Sequence, residues 1–238
     1  MRKSSRRTGV MPAPAAMAPP VKKKKRTDTS LNPAKSSSKE FDKCDTLFSR
    51  YAEKNDKCLI GPEGIEALCR DLQIEPTDMR ILLLAWKFGA DKQGFFTLEE
   101  WRAGLKALKA DTLDKLKKAL ANLQQQVADD EEEFKSLYSF SFQYCLTEPR
   151  QKTLDLDSAC QMLELILSGR PHLDSFTRFL QEQKEYKGIN HDQWIGFLRF
   201  CDEVSTDMSN YDETQAWPLL LDNYVEWSKQ AGGSKEPM

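Results

Sequence analysis

The sequence predicts an all-α domain built from two similar helix–loop–helix pairs and preceded by a basic, disordered tail. Three observations predict it. From residue 41 onward apolar residues recur at helical spacing, with no convincing strand-like alternation and no hairpin dipeptide between apolar runs. Within that region a short unit occurs four times: an isolated apolar residue, a capping residue, a three-residue first turn, and an apolar residue where a hydrophobic staple would place it. Charge then separates the tail from the domain. Residues 1–40 carry 11 Lys and Arg against Asp28 and Glu40, a net of +9, which leaves −11 for residues 41–238.

In chain order, the first 40 residues hold five of the 11 prolines and almost no large apolar side chains, too little to offset the entropy of ordering them. Inside them Lys22, Lys23, Lys24, Lys25 and Arg26 form a compact basic run of the kind read by nuclear import receptors. The first staple pair is Ile60/Ile65, with Gly61-Pro62 placing proline where its missing N–H costs nothing. Thr77 and Asp78 open an apolar helix that includes Ile81 to Phe88, read either as a central core helix or as the wall of a groove. The second pair is Phe96/Trp101, capped by Thr97 with Glu100. Leu116, Leu120, Leu123 and Val127 then mark an amphipathic connecting helix over 114–127, and the acidic run Asp129 to Glu133 reads as a solvated turn. Leu154/Ala159, capped by Asp155, is the third pair; Ile189/Trp194, with Asn190 and Gln193, is the fourth. The four units start 36, 58 and 35 residues apart. Two close pairs with a longer connection predict two EF-hand-like helix–loop–helix subdomains in one helical domain.

Calcium binding can be tested on the ligand positions of such loops, which need carboxylate or carbonyl oxygens and a bidentate Glu at position 12. The second unit comes nearest, with Gly89, Asp91, Gln93, Gly94, Thr97 and Glu100 at positions 1, 3, 5, 6, 9 and 12, but Gly89 supplies no side-chain oxygen. The other units end at Gly64, Ser158 and Gln193, so no metal site is expected. Cys44, Cys58, Cys69, Cys145, Cys160 and Cys201 show no C-x-x-C spacing and read as reduced thiols. With just His172 and His191, far apart, the usual parts of acid–base and nucleophilic catalysis are missing, so no catalytic residue and no cofactor is expected. No apolar stretch approaches the ~18 residues of a membrane span, and no secretory signal or N-myristoylation glycine is present, so no membrane partner is expected.

From Phe200 to Ser228 there are seven acids and no Lys or Arg, which calls for a basic protein partner. Here the sequence becomes recognisable. Asp207-Met208-Ser209-Asn210-Tyr211-Asp212-Glu213, Ala216-Trp217-Pro218-Leu219-Leu220-Leu221-Asp222 and Tyr224-Val225-Glu226-Trp227 resemble the closing signature of the defective-in-cullin-neddylation (DCN-like) family. The resemblance extends back through His191-Asp192-Gln193-Trp194, Leu154-Asp155-Leu156-Asp157 and Leu83-Leu84-Ala85-Trp86-Lys87-Phe88 to Gly61-Pro62-Glu63-Gly64-Ile65. It covers roughly residues 41–228, leaving 229–238 as a flexible C-terminus, and the basic tail is similar to that of the family's short-tailed nuclear branch.

The resemblance implies a potentiating-neddylation (DCUN1) domain over 41–228 and a scaffold-type co-ligase that regulates cullin-RING ubiquitin ligases. Such a protein holds the winged-helix C-terminal region of a cullin beside the charged, N-acetylated neddylation conjugating enzyme. It also implies two sites. Ile65, Ile81, Leu84, Phe88, Gln93, Phe96, Tyr144 and Leu165 would line a pocket for the conjugating enzyme's N-terminus, although core packing is the default for the aliphatic members. Asp192, Ala216 and Asp222 would face the cullin. Asp222, off the stripe of Leu220, Tyr224 and Trp227, is expected to be exposed. The expected location is the nucleus, with the cytoplasm open. The competing readings are an EF-hand calcium module, which lacks its ligands, and a nucleic-acid binder, which would have to use the tail because the domain is acidic.

Overall fold

Each of the four staple units ends an extended residue and starts a helix, and the extended residues find one another. In the computed structural model, which describes residues 43–233, Ile60 pairs with Phe96 and Leu154 with Ile189. All four side chains are buried. The two pairs close in sequence are thus the two pairs that meet in space.

The first half runs from helical residues 43–49 (α1) through β1 (Leu59–Ile60), α2 (Pro62–Leu72), α3 (Met79–Phe88), β2 (Phe96–Thr97) and α4 (Leu98–Ala107). The second uses α6 (Glu131–Tyr144), β3 (Thr153–Asp155), α7 (Leu156–Ile166), α8 (Leu173–Glu182), β4 (Gly188–Asn190) and α9 (His191–Glu203). β1 with β2, and β3 with β4, form antiparallel two-stranded ladders. The capping chemistry read from the sequence sets the helix starts: Thr97 with Glu100 and Asn190 with Gln193 form complete capping boxes, and the Asp155 side chain accepts from Ser158 N–H at 2.9 Å.

Two further helices close the halves. α5 (Leu113–Asp129) lays Leu116, Leu120, Leu123 and Val127 against α2 and α3. α10 (Leu219–Gly233) packs on α8 and α9, with Leu220, Leu221, Tyr224 and Val225 buried. α6 touches both α3 and α9 and so joins the halves, helped at its start by the Lys87–Glu133 ion pair at 2.8 Å.

Three expectations change. The short strands escape a search for alternation because each has only two or three residues. The acidic run over 129–133 is not a solvated turn. Asp130 alone separates α5 from α6; its side chain accepts from Glu132 and Glu133 N–H groups, and Glu131 to Glu133 form the first turn, where negative charge complements the exposed amides. Residues 229–233, expected to be flexible, continue α10. The tail over 1–40, its basic run Lys22 to Arg26, and residues beyond 233 lie outside the described residues.

Candidate functional site

α9 begins at the Asn190 cap, which places Asp192 in the first turn, exposed. A strap over 204–218 leads from the end of α9 to α10 and carries Ala216, also exposed. Gly196 permits the close return: a Cβ there would lie 2.8 Å from Pro218 Cγ. Asp222 departs from expectation. It is half-buried, because the Tyr211 hydroxyl donates to its Oδ1 and the Tyr211 ring covers the strap's inner side, stacked on Trp217 with centroids 6.1 Å apart. Burial and the Asp222 carboxylate push the Tyr211 phenol well above its ordinary pKa, so it stays a donor. The guanidinium of Arg199 lies 4.2 Å from the Trp217 ring centroid and donates to Gln215 at 2.9 Å. Asp222 therefore ties the strap to α10, while Asp192 and Ala216 are exposed.

Hydrogen bonds inside the strap fix its charge. Asp207 accepts from Ser205 Oγ at 2.7 Å and Ser209 N–H at 3.0 Å, which draws its carboxyl down to about 2. Asp212 accepts from the Thr214 amide and hydroxyl, and its pKa is lowered too. Arg170 and Arg199, from outside the acidic segment, pair with Asp202 at 2.5 Å and Glu203 at 2.9 Å. No described Lys or Arg pairs with Asp207 or Asp212, so these two carboxylates stay charged throughout the neutral range.

The eight pocket residues differ in burial. Leu84, Phe88 and Phe96 are interior: Phe88 packs against Phe96 at 5.2 Å and Trp101 at 5.5 Å. Ile65 on α2 is buried, while Ile81 and Leu165 are half-buried. Gln93 is exposed, and Tyr144 is buried with its hydroxyl accepting from Gly94 N–H at 3.3 Å and its ring stacked on Phe140 at 5.2 Å. Burial raises the Tyr144 pKa. The structure so brings Gln93 and Tyr144 to one loop. A hollow of about 450 Å³ opens there, between Asp91 to Gln93 and Gln143 to Gln151, with Leu146 and Pro149 on its wall; of the eight residues it is lined by Gln93. Gln143 and Leu146 also line a neighbouring hollow of about 400 Å³ that reaches Asn190, His191 and Asp192.

The loop nearest to a calcium site has its position-12 carboxylate engaged otherwise. Glu100 accepts from Asp91 N–H at 2.9 Å and Thr97 N–H at 2.7 Å, and Gly94 takes the left-handed turn at φ +80°. Among the described residues no group of three or more His, Cys, Asp and Glu could hold a metal ion. The two histidines join helices: His172 Nε2 lies 3.0 Å from Val204 O, and His191 Nε2 lies 3.4 Å from Ser139 Oγ. Burial pushes the Cys145 and Cys160 thiols to about 11 and Cys201 to about 12, which keeps them protonated at neutral pH.

Sequence reasoning missed two exposed apolar residues at the first site, Ile195 and Leu219. The signal was present. Ile195 falls off the buried stripe of Trp194, Phe197, Leu198 and Cys201, and Leu219 falls off that of Leu220, Tyr224 and Trp227.

Comparison with known proteins bears on the same segment. The model of a family described as "Cullin binding" matches residues 115–227. DCN1-like protein 5 of Homo sapiens is 42% identical over 189 residues, covering 79% of this chain and 77% of that protein. DCN1-like protein 4 of Danio rerio is 43% identical over 188 residues, covering 79% of this chain and 65% of its own length. DCN1-like protein 2 of Dictyostelium discoideum is 42% identical over 171 residues, covering 72% and 64%.

Proposed function

Because this chain belongs to the DCN1-like family, we propose that it is a non-catalytic scaffold of cullin neddylation. The surface of α9, the 204–218 strap and the start of α10 holds the winged-helix C-terminal region of a cullin. The pocket set around Gln93 and Tyr144 takes the acetylated N-terminus of the conjugating enzyme. The observation that supports this reading is that Asp192 and Ala216 are exposed on α9 and the strap, two segments that meet at Gly196 and Pro218 inside the matched residues, while Tyr211 holds Asp222 on α10.

The chemistry then belongs to the partners. A cullin lysine amine attacks the thioester carbonyl on the conjugating enzyme, and the cysteine thiolate leaves. The scaffold contributes position: converting an encounter into a held geometry can supply roughly 7–11 kcal/mol in favourable systems. Acetylation fits an apolar pocket because a buried, unpaired ammonium costs several kcal/mol, whereas an amide can be hydrogen-bonded. The basic run Lys22 to Arg26 directs the protein to the nucleus.

Calorimetry with the full chain tests the two sites separately. The Asp192→Ala, Ala216→Arg, Asp222→Ala triple variant should lose cullin binding and keep its affinity for an acetylated conjugating-enzyme peptide. Gln93→Arg, at an exposed position lining the hollow, should do the reverse, and the free-amine peptide should bind wild type much more weakly than the acetylated one. Equal affinity for the two peptides would remove the proposed pocket chemistry. Replacing Lys22 to Arg26 with alanines should leave both affinities intact and shift the protein out of the nucleus.

A further inference from the structure

The scaffold reading leaves Ile195 and Leu219 without a role, although they are the large hydrophobic side chains exposed among the described residues, at 36% and 66%. A single exposed apolar residue needs no explanation. These two flank one helix crossing. Gly196, next to Ile195, lets α9 touch Pro218, and Leu219 follows Pro218 as the first residue of α10. Asp192 lies one turn before Ile195 on α9, and Ala216 lies three residues before Leu219, both exposed. Each member of the apolar pair therefore lies three residues from Asp192 or Ala216 on the two segments that meet at Gly196 and Pro218.

We propose that Ile195 and Leu219 form an apolar anchor for the cullin, receiving an aliphatic or aromatic side chain that its docking surface presents beside a basic one. This rests on the scaffold reading and divides its surface into two tasks. Asp192 and the strap acids attract a basic partner and set the encounter rate, a long-range effect that salt screens. The anchor excludes water at the centre of the contact and sets how long the complex lasts, as buried apolar contacts do in other interfaces. Charge complementarity, with Asp192 one turn from Ile195, selects a basic protein surface over a neutral ligand.

Binding kinetics of the full chain with a cullin C-terminal fragment, at low and at physiological salt, separate these roles. Ile195→Ser with Leu219→Ser should raise the dissociation rate about tenfold or more while the association rate and its salt dependence remain those of wild type. Asp192→Asn should slow association and flatten its salt dependence, with dissociation little changed. Leu219→Met, which keeps an apolar side chain, should retain wild-type dissociation, and Leu219→Ser alone should show a smaller version of the double variant's effect should the pair disturb folding. Wild-type dissociation in the folded serine variants would overturn the anchor and leave the scaffold reading standing. Failure of wild type itself to bind the cullin would remove both.

Discussion

In the first half Trp101, from the second staple, is fully buried and donates its indole N–H to Cys44 O on α1 at 3.1 Å. In the second half Trp194, from the fourth staple, donates in the same way to Tyr138 O on α6 at 3.0 Å, and the Tyr138 hydroxyl returns a bond to Trp194 O at 2.9 Å. The shared device is scaffold: one tryptophan per half fixes the second loop's helix to the first helix of that half. What differs is how each half is finished. The first is covered by α5 and keeps a loop with Gly94 and Glu100 in calcium-loop positions but with the carboxylate spent on backbone amides. The second is closed by the strap and α10, which present anionic and apolar groups to solvent. Function is to be sought where the halves diverge.

Tryptophan removal should have the largest effect. Trp101→Ala and Trp194→Ala should each destabilise the domain by about 3–5 kcal/mol in urea unfolding, since each leaves a large cavity and removes a buried hydrogen bond. Tyr138→Phe sharpens the comparison, because it removes the bond that the Tyr138 hydroxyl returns to Trp194 O and leaves the indole bond in place. It should cost about 1–3 kcal/mol by leaving a buried carbonyl without that donor. A near-zero cost would leave the Trp194 indole bond as the part of this tie that holds the second half together.

Thiol reactivity gives a kinetic version of the same contrast. Of the six cysteines five are buried, in both halves, and Cys58, before β1, is exposed. An aromatic disulfide reagent at neutral pH should modify one thiol in the native protein and six after unfolding. Rapid modification of Cys201, whose thiol burial holds at about 12, would mean that the second half opens more readily than its packing implies. Calcium should have the smallest effect, at the one loop that comes near to a site. Millimolar calcium should leave the melting temperature unchanged, because a ligand bound to the folded state alone must raise it.

The scaffold was legible in the sequence because it is made by local chemistry. Caps and staples act over five residues, and each staple's first residue became a paired strand residue. The strands were not legible, being too short for periodicity, and neither was the helix start at Asp130, where a charge run looked like a turn until the amides it accepts from were in view. The site was legible in part. Asp192 and Ala216 sit where first-turn and pre-helix positions put them, whereas the half-burial of Asp222 depends on Tyr211, eleven residues earlier in the chain, and no local pattern encodes that contact. Tyr144 and Gln93 meet at Gly94 for a similar reason, across a separation of about 50 residues.

The central claim is that this protein speeds modifier transfer by holding two partners and performing no chemistry itself. The most direct measurement is the single-turnover rate at which a charged, N-acetylated conjugating enzyme modifies a cullin, with wild-type full chain or with the Asp192→Ala, Ala216→Arg, Asp222→Ala variant. Wild type should accelerate transfer in proportion to the fraction of cullin bound, and the folded variant should return the rate to that without scaffold. Wild-type acceleration by the variant, or no acceleration by wild type at concentrations that saturate both partners, would contradict the account.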